Sequence, residues 1–276
     1  MRCIDFEFDG QLLSDHDCAI CSIGSGSGVE TINFGSQLTL NTVSLAGQDK
    51  FHIVSTQYGE AYSVTFQVAK LTPDKSLASV IEEQELSQLM RWLNRKQYCK
   101  FKAIYEDGEY ADVYYMGTFN VQAILLCGNV IGLELTLKTD APFGHYEPVE
   151  LYMNLEHEDD GYTLFDGSDE TGVFYPDMVE IKCLASGNLI IKNSRDGRMT
   201  VINNCQAGEV LTLYGEQKQI VSTYTHKRLY NDFNYNFIRI FNGQAGGVED
   251  NANVYSSTLP CNIRLVYSPI CKRGVI

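Results

Sequence analysis

The chain is a succession of short segments in which apolar and polar residues alternate, the period-2 signature of strands with one buried and one solvated face. At the start Ile4, Phe6 and Phe8 alternate with Asp5, Glu7 and Asp9, and Asp9-Gly10 supplies a hairpin turn, because glycine accepts positive φ. In "AYSVTFQVAK" Tyr62, Val64, Phe66 and Val68 share one face, with Ser63, Thr65 and Gln67 on the other. "VIGLELTLKT" directs Ile131, Leu133, Leu135 and Leu137 inward. Strands with a polar face of this kind pair antiparallel.

One segment breaks the period. "SLASVIEEQELSQLMRWLNRKQ" spaces Leu86, Leu89, Met90 and Leu93 at i, i+3, i+4 and i+7, which predicts an α-helix over residues 83–96 with Trp92 beside its apolar stripe, after a break at Thr72-Pro73-Asp74. "YCKFKAIYEDGEYADVYYMGTFNV" then reads as two strands joined at Asp107-Gly108. Pro142, Gly144 and Pro148 in "KTDAPFGHYEP" mark a boundary. The predicted organisation is a β domain with one packed helix over 1–145, an acidic linker or extension over 146–177, and a β-sandwich over 178–276. In the linker Glu156, Glu158, Asp159, Asp160, Asp166, Asp169 and Glu170 meet no Lys or Arg. The sandwich is read from "NLIIKN", "RMTVIN", "EVLTLYGEQKQIVS", "NFIRIFNG" and "NIRLVYSP", with no helix among them. The fold class is mainly β.

Composition narrows the function. At 276 residues and 44% hydrophobic the chain can bury a full core. Its net charge of −14 is shared: 10 Lys+Arg stand against 18 Asp+Glu in residues 1–145, and 11 against 17 in 146–276. Without a basic face neither half displaces the counterions of DNA or RNA, which excludes tight nucleic-acid binding. No apolar run reaches membrane-spanning length and no leader pattern opens the chain, so a soluble protein made in a cytoplasm, without membrane insertion, is expected. Nine scattered cysteines in a chain of this length read as free, mostly buried thiols rather than a disulfide framework.

Candidate chemistry is thin. Cys18-Ala-Ile-Cys21 has the spacing of a zinc or redox pair, but a second ligand pair is missing, His16 and Cys3 would have to complete the site through folding, and the setting is strand and loop. The five histidines (His16, His52, His145, His157, His226) come with no nucleophile signature such as G-x-S-x-G. "GSGSG" at 24–28 lacks the lysine of a phosphate loop and reads as a hairpin tip. The acidic run at 156–170 lacks the EF-hand ligand order and reads as a solvated loop. No catalytic, cofactor or metal residue is assigned. The residues leave one non-catalytic reading open, a carbohydrate-binding or adhesion module, with Tyr224, Tyr230 and Tyr235 as stacking candidates.

Taken in order, "FEFDG", "YGEAYSVTFQVAK", "ELSQLMRWLNRKQYCKFKAIY", "LELTLKTDAPFGHY" and "GNLIIKN … GEVLTLYGEQKQI … FNYNFIRIFNGQAG … CNIRLVYSPICKRGV" resemble the distal tail protein family of long-tailed phages. The most telling pieces are Arg91-Trp92-Leu93 on a helix that runs into a Tyr/Phe strand, and the closing "IRLVYSPICKRG". The chain differs from the family pattern in a long "NGQAGGVEDNANVYSS" and in the acidity of 150–176. The resemblance implies an N-terminal β-barrel-like domain with one helix that assembles into a six-fold ring, and a C-terminal galectin-like β-sandwich. It further implies a non-enzymatic hub at the tail tip of the virion, assembled in the bacterial host. Its partners would be copies of itself, the tail tube protein and the tail-associated or receptor-binding proteins. The sugar-binding set of galectins, His-x-Asn-x-Arg with a stacking Trp, is not present in 178–276. An acidic wall would suit a channel that DNA traverses without sticking.

Overall fold

The computed structural model describes residues 3–23, 34–72, 78–106, 110–157, 160–224, 226, 228–243 and 252–275. The chain divides into two compact units, one formed by 1–145 together with 272–276 and the other by 146–271. It is mainly β, with one substantial helix.

In the first unit the elements are β1 (Cys3–Phe8), β2 (Cys18–Ile20), β3 (Leu38–Ser44), β4 (Phe51–Tyr58), β5 (Ser63–Leu71), α1 (Glu83–Leu93), β6 (Cys99–Tyr105), β7 (Tyr110–Leu126) and β8 (Asn129–Thr139). A curled half-barrel sheet runs in the order β1-β6-β7-β8-β5-β2, every pair antiparallel. The alternation read from β5 holds: Tyr62, Val64, Phe66 and Val68 are buried. Two positions depart from it for one reason. A register shift between Cys3 and Asp5 turns Cys3 inward and leaves Ile4 42% exposed, and a second between Val130 and Gly132 takes Ile131 out of the row that buries Leu133, Leu135 and Leu137. A β-bulge inserts one residue and so changes which side chains face the core.

The core is aromatic. Phe6 lies 5.3–5.8 Å from Phe66, Phe101 and Phe119, ring centre to ring centre. Helix α1 closes it with Leu89, Trp92 and Leu93. Trp92 stacks on Phe6 and on His16, and its Nε1 donates to the Phe8 carbonyl at 2.8 Å. The indole therefore belongs to the core, with its one polar group satisfied. The helix starts where Glu85 accepts from the Glu82 backbone at 2.9 Å and pairs with Lys70 at 2.5 Å. It ends at Leu93, short of the predicted residue 96, because Asn94 leaves helical geometry. The Asp9-Gly10 turn forms as expected, both residues having positive φ.

The C-terminal residues return to this unit. Val275 is buried, its N–H donates to the Tyr62 hydroxyl at 3.0 Å, the Gly274 N–H donates to the Phe34 carbonyl at 3.0 Å, and the Tyr115 hydroxyl donates to the Arg273 carbonyl. Gly274 has to be small, since a Cβ there would sit 2.7 Å from the Tyr62 hydroxyl and 2.8 Å from the Phe34 carbonyl oxygen.

The second unit is a β-sandwich. Its strands are β9 (Val149–Leu155), β10 (Tyr162–Phe165), β11 (Gly172–Phe174), β12 (Met178–Cys183), β13 (Gly187–Asn193), β14 (Met199–Cys205), β15 (Val210–Tyr214), β16 (Gln219–Ser222), β17 (Ile240–Asn242), β18 (Ala252–Ser257) and β19 (Cys261–Tyr267), with a one-turn helix α2 (Leu229–Asp232). One sheet runs β9-β19-β12-β15-β16 and the other β10-β18-β13-β14, with β11 pairing β17 apart from them. The core between the sheets includes Met153, Leu155, Leu164, Ile181, Leu189, Ile202, Leu211 and Ile263.

Residues 149–174 thus supply three strands where a linker was expected. The acidic run that follows β9 draws the whole segment into a loop reading, although Met153 and Leu155 are buried against exposed Asn154 and Glu156. The short helix α2 was likewise not anticipated. The Gly-Ser tract 24–28, Pro73-Asp74, the Asp107-Gly108 turn, Glu158, Asp159 and the middle of "NGQAGGVEDNANVYSS" lie outside the described residues.

Candidate interaction surfaces

Strands β3 and β4 form a hairpin of their own, apart from the main sheet. Every residue from Gln37 to Gln57 is exposed. Directly opposite residues of an antiparallel pair share a face, so the register sorts the side chains. Leu38 and Leu40 stand opposite Tyr58 and Thr56, and Thr42 and Ser44 opposite Ile53 and Phe51, while Asn41 faces Ser55 and Val43 faces His52. A bulge at Val54 keeps the two apolar sets on one side. The first face therefore carries Leu38, Leu40, Phe51, Ile53 and Tyr58, and the second Thr39, Asn41, Ser55 and Gln57 with Val43 and His52. Asn41 Nδ2 donates to Ser55 Oγ at 2.9 Å across that second face.

Phe51 is 67% and Ile53 60% exposed. From Phe34 to Tyr58 the only charges are Asp49 and Lys50, near the tip. Tyr58 anchors the base, its ring edge-on to Phe143 at 6.0 Å. An isolated two-stranded hairpin is marginal in water, and a contiguous apolar face on one marks a surface that another molecule covers. A smaller apolar point is the β7–β8 turn. There Cys127 and Gly128 both take positive φ, and Leu125 and Leu126 are exposed beside them.

In the sandwich the segment between β16 and β17 is fixed by charge and displays tyrosines. His226 Nδ1 lies 3.0 Å from Glu209 Oε1 and its Nε2 lies 3.0 Å from Asp232 Oδ2, with the His226 and Glu209 side chains 6% and 0% exposed. Burial pushes the imidazole pKa down, but the hydrogen bonds to the two carboxylates outweigh it and leave it raised. For Glu209 burial pushes upward, and the donors on Ser222, on the Gln206 backbone and on His226 bring it below its ordinary value. The two carboxylates thus favour the imidazolium form of His226. Ser222 Oγ donates to Glu209 at 2.6 Å rather than to His226, so the arrangement holds loops together and does not activate a nucleophile. Tyr224, Tyr230 and Tyr235 are each at least half exposed on this segment.

The residues singled out in the sequence are dispersed. Cys18 is buried and its thiol is pushed up to about 11 by burial. Cys21 is half-buried, and His16 stacks on Trp92. Among the described residues no three His, Cys, Asp or Glu side chains gather as a metal site. Asp166 of the acidic run is buried, accepting from Ser168 at 2.9 Å and from Asn242 Nδ2 at 2.8 Å, which ties the 166–168 loop to β17. The hairpin arm was not foreseen, although the signal was present in the uncharged alternation of "QLTLNTV" and the apolar residues of "FHIVSTQY". The His226 group had no local signal, since its partners lie 17 and 6 residues away.

Family models match both halves of the chain. A phage tail protein N-terminal domain matches residues 1–141 and a phage tail C-terminal domain matches residues 143–267. A sequence search among curated proteins finds no significant match. Among solved structures the chain is similar to the Dit protein of phage SPP1, described as a paradigm of the hub adsorption apparatus in phages infecting Gram-positive bacteria. The TM-score is 0.64 at 12% identity, over 96% of this chain and 98% of that one. A chain of the phage p2 baseplate in its activated conformation is similar at a TM-score of 0.44 and 11% identity over the same shares. With the fold of a distal tail hub protein and an N-terminal domain model that alone spans just over half of its length, the chain belongs to the phage tail protein family.

Proposed function

We propose that the protein is the structural hub at the distal end of a long phage or prophage tail, where copies close into a six-fold ring between the tail tube and the tail-tip or receptor-binding machinery. The observation that carries this reading is the β3–β4 arm: an uncharged apolar face, exposed among the described residues, on the unit that matches a phage tail N-terminal domain. Its occupant is argued from charge. Copies at −14 each repel one another, and the contact that brings them together with least penalty is one without carboxylates. An arm that leaves one copy to lie on a different surface of the next makes a head-to-tail interface, which closes into a ring when the rotation per step allows.

Several features support a structural rather than chemical role. Buried Asp166 is bound by Asn242 and buried Glu209 by His226, and the SPP1 protein of the same fold is described as a hub. The test is the particle itself. Purified protein examined by native mass spectrometry and negative-stain microscopy should give a six-membered ring with a central opening, and a protein monomeric at tens of micromolar would overturn the reading.

A further inference from the structure

Each residue of an antiparallel strand turns its N–H and C=O to the same side. Those of Cys183, the last residue of β12, go to the β15 side: its N–H donates to the Glu209 carbonyl at 2.9 Å and its carbonyl accepts from the Gly208 N–H at 2.8 Å. On its other side Cys183 stands directly opposite Cys261, the first residue of β19. The next pair along is bonded, the Leu184 N–H donating to the Pro260 carbonyl at 2.8 Å. Cys183 and Cys261 are therefore a non-hydrogen-bonded pair, the type in which the Cα atoms are about 4.5 Å apart and the side chains approach most closely. That spacing falls within the Cα range of a disulfide, about 4.4–6.8 Å. Both side chains follow Ile181 and Ile263 in the inward alternation, and both are 0% exposed.

A third buried thiol lies near. Cys205, at the end of β14 in the facing sheet, is hydrogen-bonded to Cys183, and its own hydrogen goes to the Ile202 carbonyl at 3.4 Å. It meets Cys183 from across the sandwich, whereas Cys261 is on the neighbouring strand. One buried cysteine is a small apolar side chain and needs no explanation. Two in direct register are a pair whose bonding depends on the oxidant around them. The Cys183 thiol is raised by its hydrogen bond to Cys205 and by burial, and burial raises that of Cys261. Thiolate is the reacting form, so the closed core protects both. The pair sits at the ends of its two strands, beside the loops 184–186 and 258–260. Local opening costs least at such ends, and it admits a small reagent without unfolding the sandwich. A phage tail protein is made inside a cell, where thiols stay reduced, and works outside it, where disulfides persist.

We propose that Cys183 and Cys261 are a redox pair that closes into a cross-strand disulfide when the protein meets a small disulfide such as oxidised glutathione. One thiolate attacks a sulfur of that molecule and releases its first thiol, and the second attacks the mixed disulfide and releases the other. A Cys183–Cys261 bond forms, the reagent's S–S bond breaks, and the two electrons and two protons of the pair end on the two released thiols. The bridge ties β12 to β19 and closes residues 183–261 into a loop, which restricts the unfolded sandwich. It is independent of ring closure. The test incubates the reduced full chain with oxidised glutathione and maps its disulfides by mass spectrometry of a non-reduced tryptic digest, in which Lys192, Arg198 and Arg239 place the three cysteines on separate peptides. The Cys183 and Cys261 peptides are expected cross-linked, with the thermal midpoint of the sandwich raised by roughly 5–15 °C and restored by dithiothreitol. Cys261→Ala removes both the cross-link and the shift, and Cys205→Ala keeps both. Cys183 and Cys261 left as thiols, glutathione adducts in place of the bridge, a Cys183–Cys205 bridge, or a bridge that leaves the midpoint unchanged or lowered would each overturn the proposal. The unsubstituted chain gives all of these outcomes by itself, whether or not either variant folds.

Discussion

Replacing Phe51 and Ile53 by Asp puts two charges on the apolar face of the arm. Fully burying a side chain of the Val, Leu, Ile or Phe class stabilises by about 1.5–3 kcal/mol. Leu38, Leu40, Phe51 and Ile53 are still 53–67% exposed in the single chain, which leaves about 1–2 kcal/mol each, or about 4–8 kcal/mol per arm, to be gained on contact. Removing two of the four takes away about 2–4 kcal/mol, equivalent to about 30- to 700-fold in the association constant, before any penalty for covering the new carboxylates. The folded monomer is expected to be nearly unaffected, because exposed substitutions usually stay within about 0.5 kcal/mol. Light scattering after size exclusion, repeated over a concentration series, measures the shift, and circular dichroism checks the fold. Gln57→Asp on the opposite face is the control and should assemble far better than the double variant. Wild-type assembly by the double variant at every concentration would refute the assignment of this face to the interface.

Three further outcomes test the packing. Trp92→Ala should destabilise the first unit by about 3–5 kcal/mol from lost core volume, read as a lowered thermal midpoint by calorimetry; Trp92→Phe should cost less, mainly the bond to the Phe8 carbonyl. Deleting 272–276 uncovers the site of Val275 and leaves the Tyr62 and Tyr115 hydroxyls without their partners in the tail, a loss of about 2–4 kcal/mol. Faster hydrogen exchange confined to the first unit would report it. The His226 group predicts a pH window. Its raised pKa means that its contribution is complete below the ordinary value of 6.5 and is lost as pH rises through the folded value. The lowered Glu209 and Asp232 contribute above their ordinary values, and that contribution is lost as pH falls through the folded ones. The stability of the sandwich should therefore fall on both sides of a mildly acidic plateau. His226→Gln should lose about 3–5 kcal/mol there, because it leaves buried Glu209 without its cation, and should also lose the alkaline decline. Urea unfolding at stepped pH measures both, and an unchanged alkaline limb in the variant would contradict the assignment.

What was legible in the sequence was local. Period-2 runs such as Tyr62–Val68 and the i, i+3, i+4, i+7 stripe of α1 are set by geometry within one element, and the structure reproduces them. What failed was register: a single bulge reverses Cys3 and Ile4, and another removes Ile131 from its row, because neither bulge leaves a mark on composition. Strand β9 was hidden by its position, since Val149–Leu155 holds only one carboxylate, Glu150, but runs directly into the acidic stretch from Glu156 that reads as a loop. The arm was hidden for the opposite reason. Its uncharged alternation is a strand signal, but only its exposure among the described residues turns it into a surface. The His226 clamp and the Cys183–Cys261 pair depend on groups brought together by the sandwich, which no spacing in the chain announces.

The central claim is that this protein works as a ring. Native mass spectrometry of the purified chain, with negative-stain images of the same sample, tests it most directly. The account predicts a dominant hexamer with six-fold symmetry and an open centre, and a monomer or a two-fold dimer across the same concentrations would contradict it.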